Sequence, residues 1–436
     1  MRRYELISII CGSSATPANI PASFDNETCS LSVECVIERN RAGDSATCDS
    51  APDHFLTSGL AVSLFKPVTR RFLVLGLVAL GTLGVSVALE TPLQAQDMKV
   101  VRIGAGPTAA TDFPFGGLIA NAISNPPGSR ECERGGSCGV PGLIAVAQTT
   151  IDPAENLRAV SRGDLELALS QADTLSWAYA GTSAFQGQEP LRNLRMIARL
   201  YPSNVHLVVK KGSPIKSVTD LKGKKVAMGG EASATSATAR LILSAYGVRW
   251  DSLQMRYYDF AAVTGAFEKG EVDAFFMVSG APVLALEDLA GRIPIAFVPI
   301  DGPIAEKLPK IFPYYSQGVI PAKTYGDHSA VPTLEVGVVL VGRETLSPDL
   351  AYGIVRAIWH DRTRPLFQKG HPRGQLMDRL LAARDMSVPI QRGADKYYLE
   401  SGLMEPRSEN PAAAPGKPPV PGRKARLAWP FANKDS

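Results

Sequence analysis

The chain has 436 residues, 45% of them hydrophobic and 20% charged, with a net charge of +4. That supply of apolar residues fills two or three domains. The charge is too small for a dedicated nucleic-acid binder, and the basic group Arg423, Lys424 and Arg426 reads as part of a solvated tail.

Residues 1–65 hold eight acids against four bases, together with Cys11, Cys29, Cys35 and Cys48, and no sustained periodicity. A poorly structured extension is expected there, either from a start codon placed upstream of a true initiation near Lys66 or as a genuine cytoplasmic extension. Lys66 to Arg71 form a basic flank, Phe72–Leu89 is an 18-residue uncharged run, and Ala95 offers a small-residue exit. This is the layout of a cleaved secretory signal over 66–95. A membrane anchor is the alternative, because about 18 apolar residues just span a bilayer. Export implies a periplasmic location. In that oxidising setting Cys132 and Cys138, separated by Glu-Arg-Gly-Gly-Ser, are expected to pair as a disulfide. A metal site is the rival reading, but there is no CxxC and no neighbouring His.

From Lys99 the pattern alternates between strand and helix. Val100–Ile103 reads as a buried strand ended by Gly104-Ala-Gly106, and Phe115–Ile123 as the returning helix. Gly142–Ala147 is a second apolar segment, and Asp152 or Pro153 opens a helix through Ala159. Leu165–Leu169 reads as a third strand, with Ser170, Gln171, Ala172 and Asp173 leaving its C-terminal end. Ligands bind just outside the carboxyl ends of strands in open α/β sheets. Leu194–Leu200 and Val205–Val209 read as a strand pair about Tyr201-Pro202. Further strands are expected at Val226–Met228, Val272–Val278, Ile295–Pro299 and Val336–Val341, the last running beside Val205–Val209. Helices are expected at Ser236–Tyr246 and at Pro348–His360, the latter capped by Ser347. The tail over 405–436 is rich in Pro, Ala, Gly and Lys and is expected to be disordered. Alternation of this kind implies α/β lobes.

No catalytic constellation emerges. Gly104-Ala-Gly106 lacks the third glycine of a dinucleotide fingerprint, since position 109 is Ala109. The loop reads better as backbone amides with the Thr108 and Thr111 hydroxyls facing a ligand. Gly229-Gly230 with Ser233 and Thr235 before a helix is a second such loop. Its amides suit either a carboxylate ligand or ordinary capping. Met277-Val-Ser279-Gly280 lacks the pattern of a nucleophile elbow. The histidines at 54, 206, 328, 360 and 371 stand at no metal-ligand spacing, and His206, in an apolar strand, reads as structural. No enzyme activity, metal or cofactor is expected.

Residues 99–360 resemble, in order, the TAXI-type solute-binding proteins of TRAP transporters. The resemblance runs through the glycine-rich first loop, Asn156-Leu157, Asp164 to Asp173, Leu200-Tyr-Pro202 and Val205–Val209. It continues through Ile215 to Lys225, Val272–Phe276, Pro299–Gly302, Ile320–Tyr325 and Val331-Pro-Thr333. It implies an α/β, two-lobed periplasmic-binding-protein type II fold with a hinge and an interlobe cleft. Residues 97–200 with 346–404 would form lobe 1, and 201–345 lobe 2. It implies a small-molecule ligand bearing a carboxylate, such as glutamate or 2-oxoglutarate, delivered to a TRAP membrane permease. The alternatives are the binding subunit of an ABC importer and a receptor serving a separate signalling partner. By matching position the ligand-facing residues would be Thr108, Thr111, Phe113, Gln148, Thr149, Gln171, Asp173, Tyr201, Ser233, Thr235 and Ser279. Two loops depart from the family. The first has Pro107-Thr-Ala-Ala-Thr-Asp112-Phe-Pro-Phe115 in place of a Gly-Thr-Gly-Gly and Tyr-Tyr-Pro-like stretch. The second has Ser233-Ala-Thr-Ser236 in place of Ser-Gly-Thr-Glu. If Asp112 faces the cleft, it favours an amine and repels a carboxylate.

Overall fold

The computed structural model describes residues 98–384 and 387–405. The expected extension over 1–65, the export segment over 66–95 and the tail from 406 onward lie outside them. The described chain runs β1 (Lys99–Gly104), α1 (Asp112–Ile123), β2 (Ser124–Asn125), β3 (Val140–Pro141) and β4 (Leu143–Gln148). It continues with α2 (Pro153–Arg162), β5 (Leu167–Gln171), α3 (Ala172–Ala180), β6 (Leu194–Lys210), β7 (Lys225–Ala227) and α4 (Ala234–Ala245). Then follow β8 (Gln254–Arg256), α5 (Val263–Glu268), β9 (Ala274–Ser279), α6 (Leu284–Arg292), β10 (Ile295–Phe297) and α7 (Gly302–Ile311). It closes with β11 (Tyr315–Ile320), β12 (Val331–Arg343), α8 (Pro348–Ile358), α9 (Arg364–Gly370) and α10 (Arg392–Glu400). No helix among the described residues is long and apolar enough to cross a membrane.

The sheet has two parallel halves joined by an antiparallel middle. β4, β1 and β5 are parallel, with Lys99 opposite Leu143 and Ile103 opposite Leu167. At the other end β9, β7 and β8 are parallel. Between them β12 and β6 run antiparallel to β5, to each other and to β9. This α/β arrangement, with two antiparallel strands crossing between parallel ends, is the strand order expected of the type II periplasmic-binding fold.

β6 is one strand of 17 residues, not a pair turning at Tyr201-Pro202. Pro202 lies opposite Gly337, where the β6–β12 register shifts. A proline without an N–H is tolerated at such an irregularity, so the strand passes through. For the same reason β12 registers with Leu194–Asn204 rather than with Val205–Val209, whose neighbours are β9 and β10. Most of β6 is buried on both faces, as a near-continuous apolar run demands. α1 begins at Asp112, three residues before the expected start. Pro114 falls in its first turn, where no N–H is required.

Side chains of α1, α8 and α10 form one core around Phe115, Ile354 and Tyr398. A second core joins Leu157 and Trp177 of the first half to Val226, Ile242 and Phe276 of the second. The halves therefore share apolar packing on that face.

Candidate functional site

The carboxyl ends of β1, β5, β7 and β9 converge on a cavity of about 70 Å³. Its wall combines Ala110 and Asp112 from the start of α1, Asp152 before α2, and Gln171 at the end of β5. The Gly229-Gly230 turn, Ser233 and Thr235 at the start of α4, and Tyr258 to Phe260 close the other side. Gly229 sits at φ +88°, and a Cβ there would lie 2.9 Å from the Ser233 Oγ. Only glycine makes this turn without strain.

Each sequence-predicted residue has a distinct place. Gln171, Ser233 and Thr235 line the cavity. Gln171 is 2% exposed, and its Oε1 has no hydrogen-bond partner. Ser233 caps α4 by accepting from the Ser236 N–H at 3.1 Å. Thr111 and Ser279 are buried beside the cavity but bonded to each other, the Thr111 N–H donating to the Ser279 Oγ at 3.2 Å. The Thr111 hydroxyl donates to the Gly280 and Pro282 carbonyls. Tyr201, 1% exposed, donates its hydroxyl to Asp112 Oδ1 at 2.7 Å, with its ring 4.2 Å from that of Phe115. Phe113 packs against the α1 core, while Thr108, Gln148 and Thr149 are exposed and outside the wall.

Asp173 is elsewhere. Because α3 begins at Ala172, directly after the strand, its side chain turns into the protein rather than into a loop. It is fully buried and accepts from the Thr174 N–H at 2.6 Å, the Thr174 and Thr238 hydroxyls at 3.0 Å and the Tyr315 hydroxyl at 2.8 Å. Burial pushes its carboxyl up, and these donors oppose the shift. It ties α3 to α4 and β11.

Several groups were silent in the sequence. The Asp152 carboxylate accepts from the Ala154 N–H at 2.7 Å, capping α2, and from the Ala234 N–H at 3.2 Å, at the start of α4. One of the amides that a ligand's carboxylate would use at α4, that of Ala234, is thus taken by the chain itself. Burial pushes both Asp152 and Asp112 up to about 6. Arg373, 2% exposed, donates its Nε to the Ala281 carbonyl at 2.6 Å and an Nη to Asn204 Oδ1, and its other Nη lies 3.6 Å from Glu335. Its surroundings, Pro372 and Gly374, carry no local signal. Thr111 and Arg373 thereby hold the Gly280–Pro282 loop from two sides.

A larger opening of about 600 Å³ lies along β6 and β11, lined by Arg199, Pro202, Ser316, Glu335 and Arg373. Arg373 and Glu335 there already have partners. The smaller cavity retains an unsatisfied buried amide oxygen, which costs free energy until a donor meets it, and is the stronger candidate for a ligand.

Cys132 and Cys138 form the expected disulfide, their α-carbons 4.7 Å apart. His360, absent from their sequence neighbourhood, comes within 3.9 Å of the Cys132 sulfur. The bond between the sulfurs withholds both from a metal. His206 is fully buried, 3.1 Å from the Tyr325 hydroxyl, and burial lowers its pKa to about 3. It is a neutral core group.

Residues 103–402 match the NMT1-like family. The chain belongs to that family. This NMT1-like chain is also similar to the aliphatic sulphonate binding protein SsuA from Escherichia coli, at 15% identity over 62% of this chain and 78% of that one, TM-score 0.36. An ancestral arginine-binding protein bound to arginine matches at 16% identity over 63% and 98%, TM-score 0.39. A putative L-cystine ABC transporter protein from Listeria monocytogenes matches at 14% over 64% and 99%, TM-score 0.38.

Proposed function

We propose that this NMT1-like chain is an exported solute-binding receptor that encloses a small molecule between its two halves and passes it to an importer in the membrane. The observation that carries this reading is the cavity itself. It lies at strand carboxyl ends, is walled by both parallel halves of the sheet, and has in its wall the buried Gln171, whose Oε1 has no partner among the described residues. A group of that kind waits for a donor from outside the chain. The cavity is well below the roughly 300 Å³ at which most ligand pockets begin, so entry requires the halves to part. The lobes proposed for this motion are residues 97–200 with 346–404, and 201–345. Hinge closure about a ligand is the behaviour that follows.

The proposed location is periplasmic, with residues 66–95 as the export signal. The proposed partner is first the membrane subunit of an ABC importer, which accords with a description reported above. A TRAP permease rests on the resemblance of residues 99–360 alone. That resemblance also implies a glutamate-like or 2-oxoglutarate-like cargo. No catalysis is proposed, as the cavity wall brings no nucleophile and base together.

Mass spectrometry of small molecules released from the denatured, purified protein tests the reading. A compound recovered intact, which raises the melting temperature when added back, supports it. Steady conversion of that compound by the protein would show an enzyme instead.

A further inference from the structure

The cavity wall is one-sided in charge. Asp112, Asp152 and Asp259 contribute to it, and neither Lys, Arg nor His does. Asp112 is 5% exposed, and the Tyr201 hydroxyl is the one donor to its carboxylate among the described residues. The Asp152 charge is partly met by two backbone amides and by the field of Arg158. Asp112 has no such cation. The wall also carries the Gln171 Oε1, a buried acceptor with no donor, and the rings of Tyr258 and Phe260. At the start of α4 the Ala234 amide is taken by Asp152 and the Ser236 amide by Ser233.

Resting on the receptor reading above, we infer that the cleft takes a molecule carrying a protonated nitrogen on a small apolar body, and rejects carboxylates and sulfonates that lack one. An ammonium offers N–H donors to the two acceptors left wanting, Asp112 and Gln171. It also replaces like-charge repulsion by attraction in a site shielded from water. Aromatic faces at the wall favour the same cation. A carboxylate would meet Asp112 unscreened and find the α4 amide already engaged.

The test uses the full chain at about pH 8, where Asp112 is charged, with calorimetry. One set of probes is methylammonium, 1,4-diaminobutane and ethanolamine, each protonated at this pH. The other is glutarate, 2-oxoglutarate and ethanesulfonate. Whatever small molecule is released from the purified protein joins the set its charge dictates. The expected result is binding confined to molecules with a protonated nitrogen, weakened about 10- to 100-fold in Asp112→Asn, the range for losing one charge-assisted hydrogen bond. Gln171→Leu, which deletes the unpaired oxygen without touching the acids, is expected to weaken it as well. Binding of the nitrogen-free anions, or cation binding indifferent to both substitutions, overturns the inference and leaves the receptor reading standing. A protein that releases nothing and binds neither set loses the receptor reading too. Far-ultraviolet circular dichroism of each variant separates lost binding from lost fold.

Discussion

Asp112 and Asp152 carry their charge in surroundings that resist it, and the pH dependence of stability follows. Both carboxyls are pushed up to about 6 by burial, from an ordinary value of 3.8. A group whose folded pKa exceeds its unfolded one holds its proton more tightly in the folded chain. Its contribution is therefore greatest below about pH 4 and is lost as pH rises through 6. Glu166 works the other way. Arg102, bonded at 2.7 Å, holds its carboxyl below the usual range, so its contribution fades as the solution becomes acidic. The melting temperature of the parent is expected to fall relative to that of Asp112→Asn as pH rises from about 4 to 6.5, and the gap to stay level above that, measured by differential scanning calorimetry. Asp112→Asn keeps an acceptor for Tyr201 and removes the buried charge. It is expected to stabilise the protein at neutral pH by about 1–3 kcal/mol and to flatten the pH profile. A variant that is more stable yet binds more weakly is the trade-off of a site built for a ligand. The acid at position 112 was legible in the sequence as an anomaly. Its partner Tyr201, 89 residues away, was not.

Among the elements, α2 and α4 are joined through Asp152. The sequence opens a helix at Asp152 or Pro153, and the structure makes Asp152 its N-cap. It conceals the second role, since the Ala234 amide is brought near only when the sheet is assembled. Asp152→Ala is expected to lower stability by about 1–2 kcal/mol, the usual loss of a cap. Denaturant midpoints at unchanged slope would show it. The Cys132–Cys138 loop is a second local element, and its disulfide was legible because both ends lie within seven residues. Replacing both cysteines by serine is expected to cost about 2 kcal/mol from regained unfolded-state freedom. The same measurement under reducing conditions should abolish the difference from the parent. β6 reads as two strands because Pro202 is a strong local stop signal, and the irregularity beside it, where Leu200 and Tyr201 of β6 stand against Val338 alone, shows only in the pairing with β12.

At the scale of the whole molecule, Arg373 joins the C-terminal segment to the second half of the sheet. Its guanidinium meets the Ala281 carbonyl, Asn204 and Glu335 in a buried setting. Removing one member of such a group leaves the rest unpaired, which typically costs about 3–5 kcal/mol. Arg373→Met is therefore expected to lower the melting temperature sharply, and Arg373→Met with Glu335→Gln to recover part of the loss. A ligand that binds only the folded chain adds about 2.7 kcal/mol at a hundred times its Kd. Ligand rescue of the Arg373 variant would separate a clasp from a contact with the ligand itself.

The sequence by itself determined the α/β alternation, most strand and helix positions, the short-range disulfide and the cap at Ser347. These follow from periodicity and from residues within a few positions of one another. It also flagged both loops that reach the cavity. The tertiary structure alone decided that Asp173 braces three elements, that Thr111 and Ser279 bond each other, and that His360 lies beside Cys132 228 residues before it. It also decided that the cavity wall holds three acids and no base. Such meetings depend on strand register and helix placement, which bring distant side chains within ångströms. Local pattern constrains each element's face but not which residue will stand opposite it.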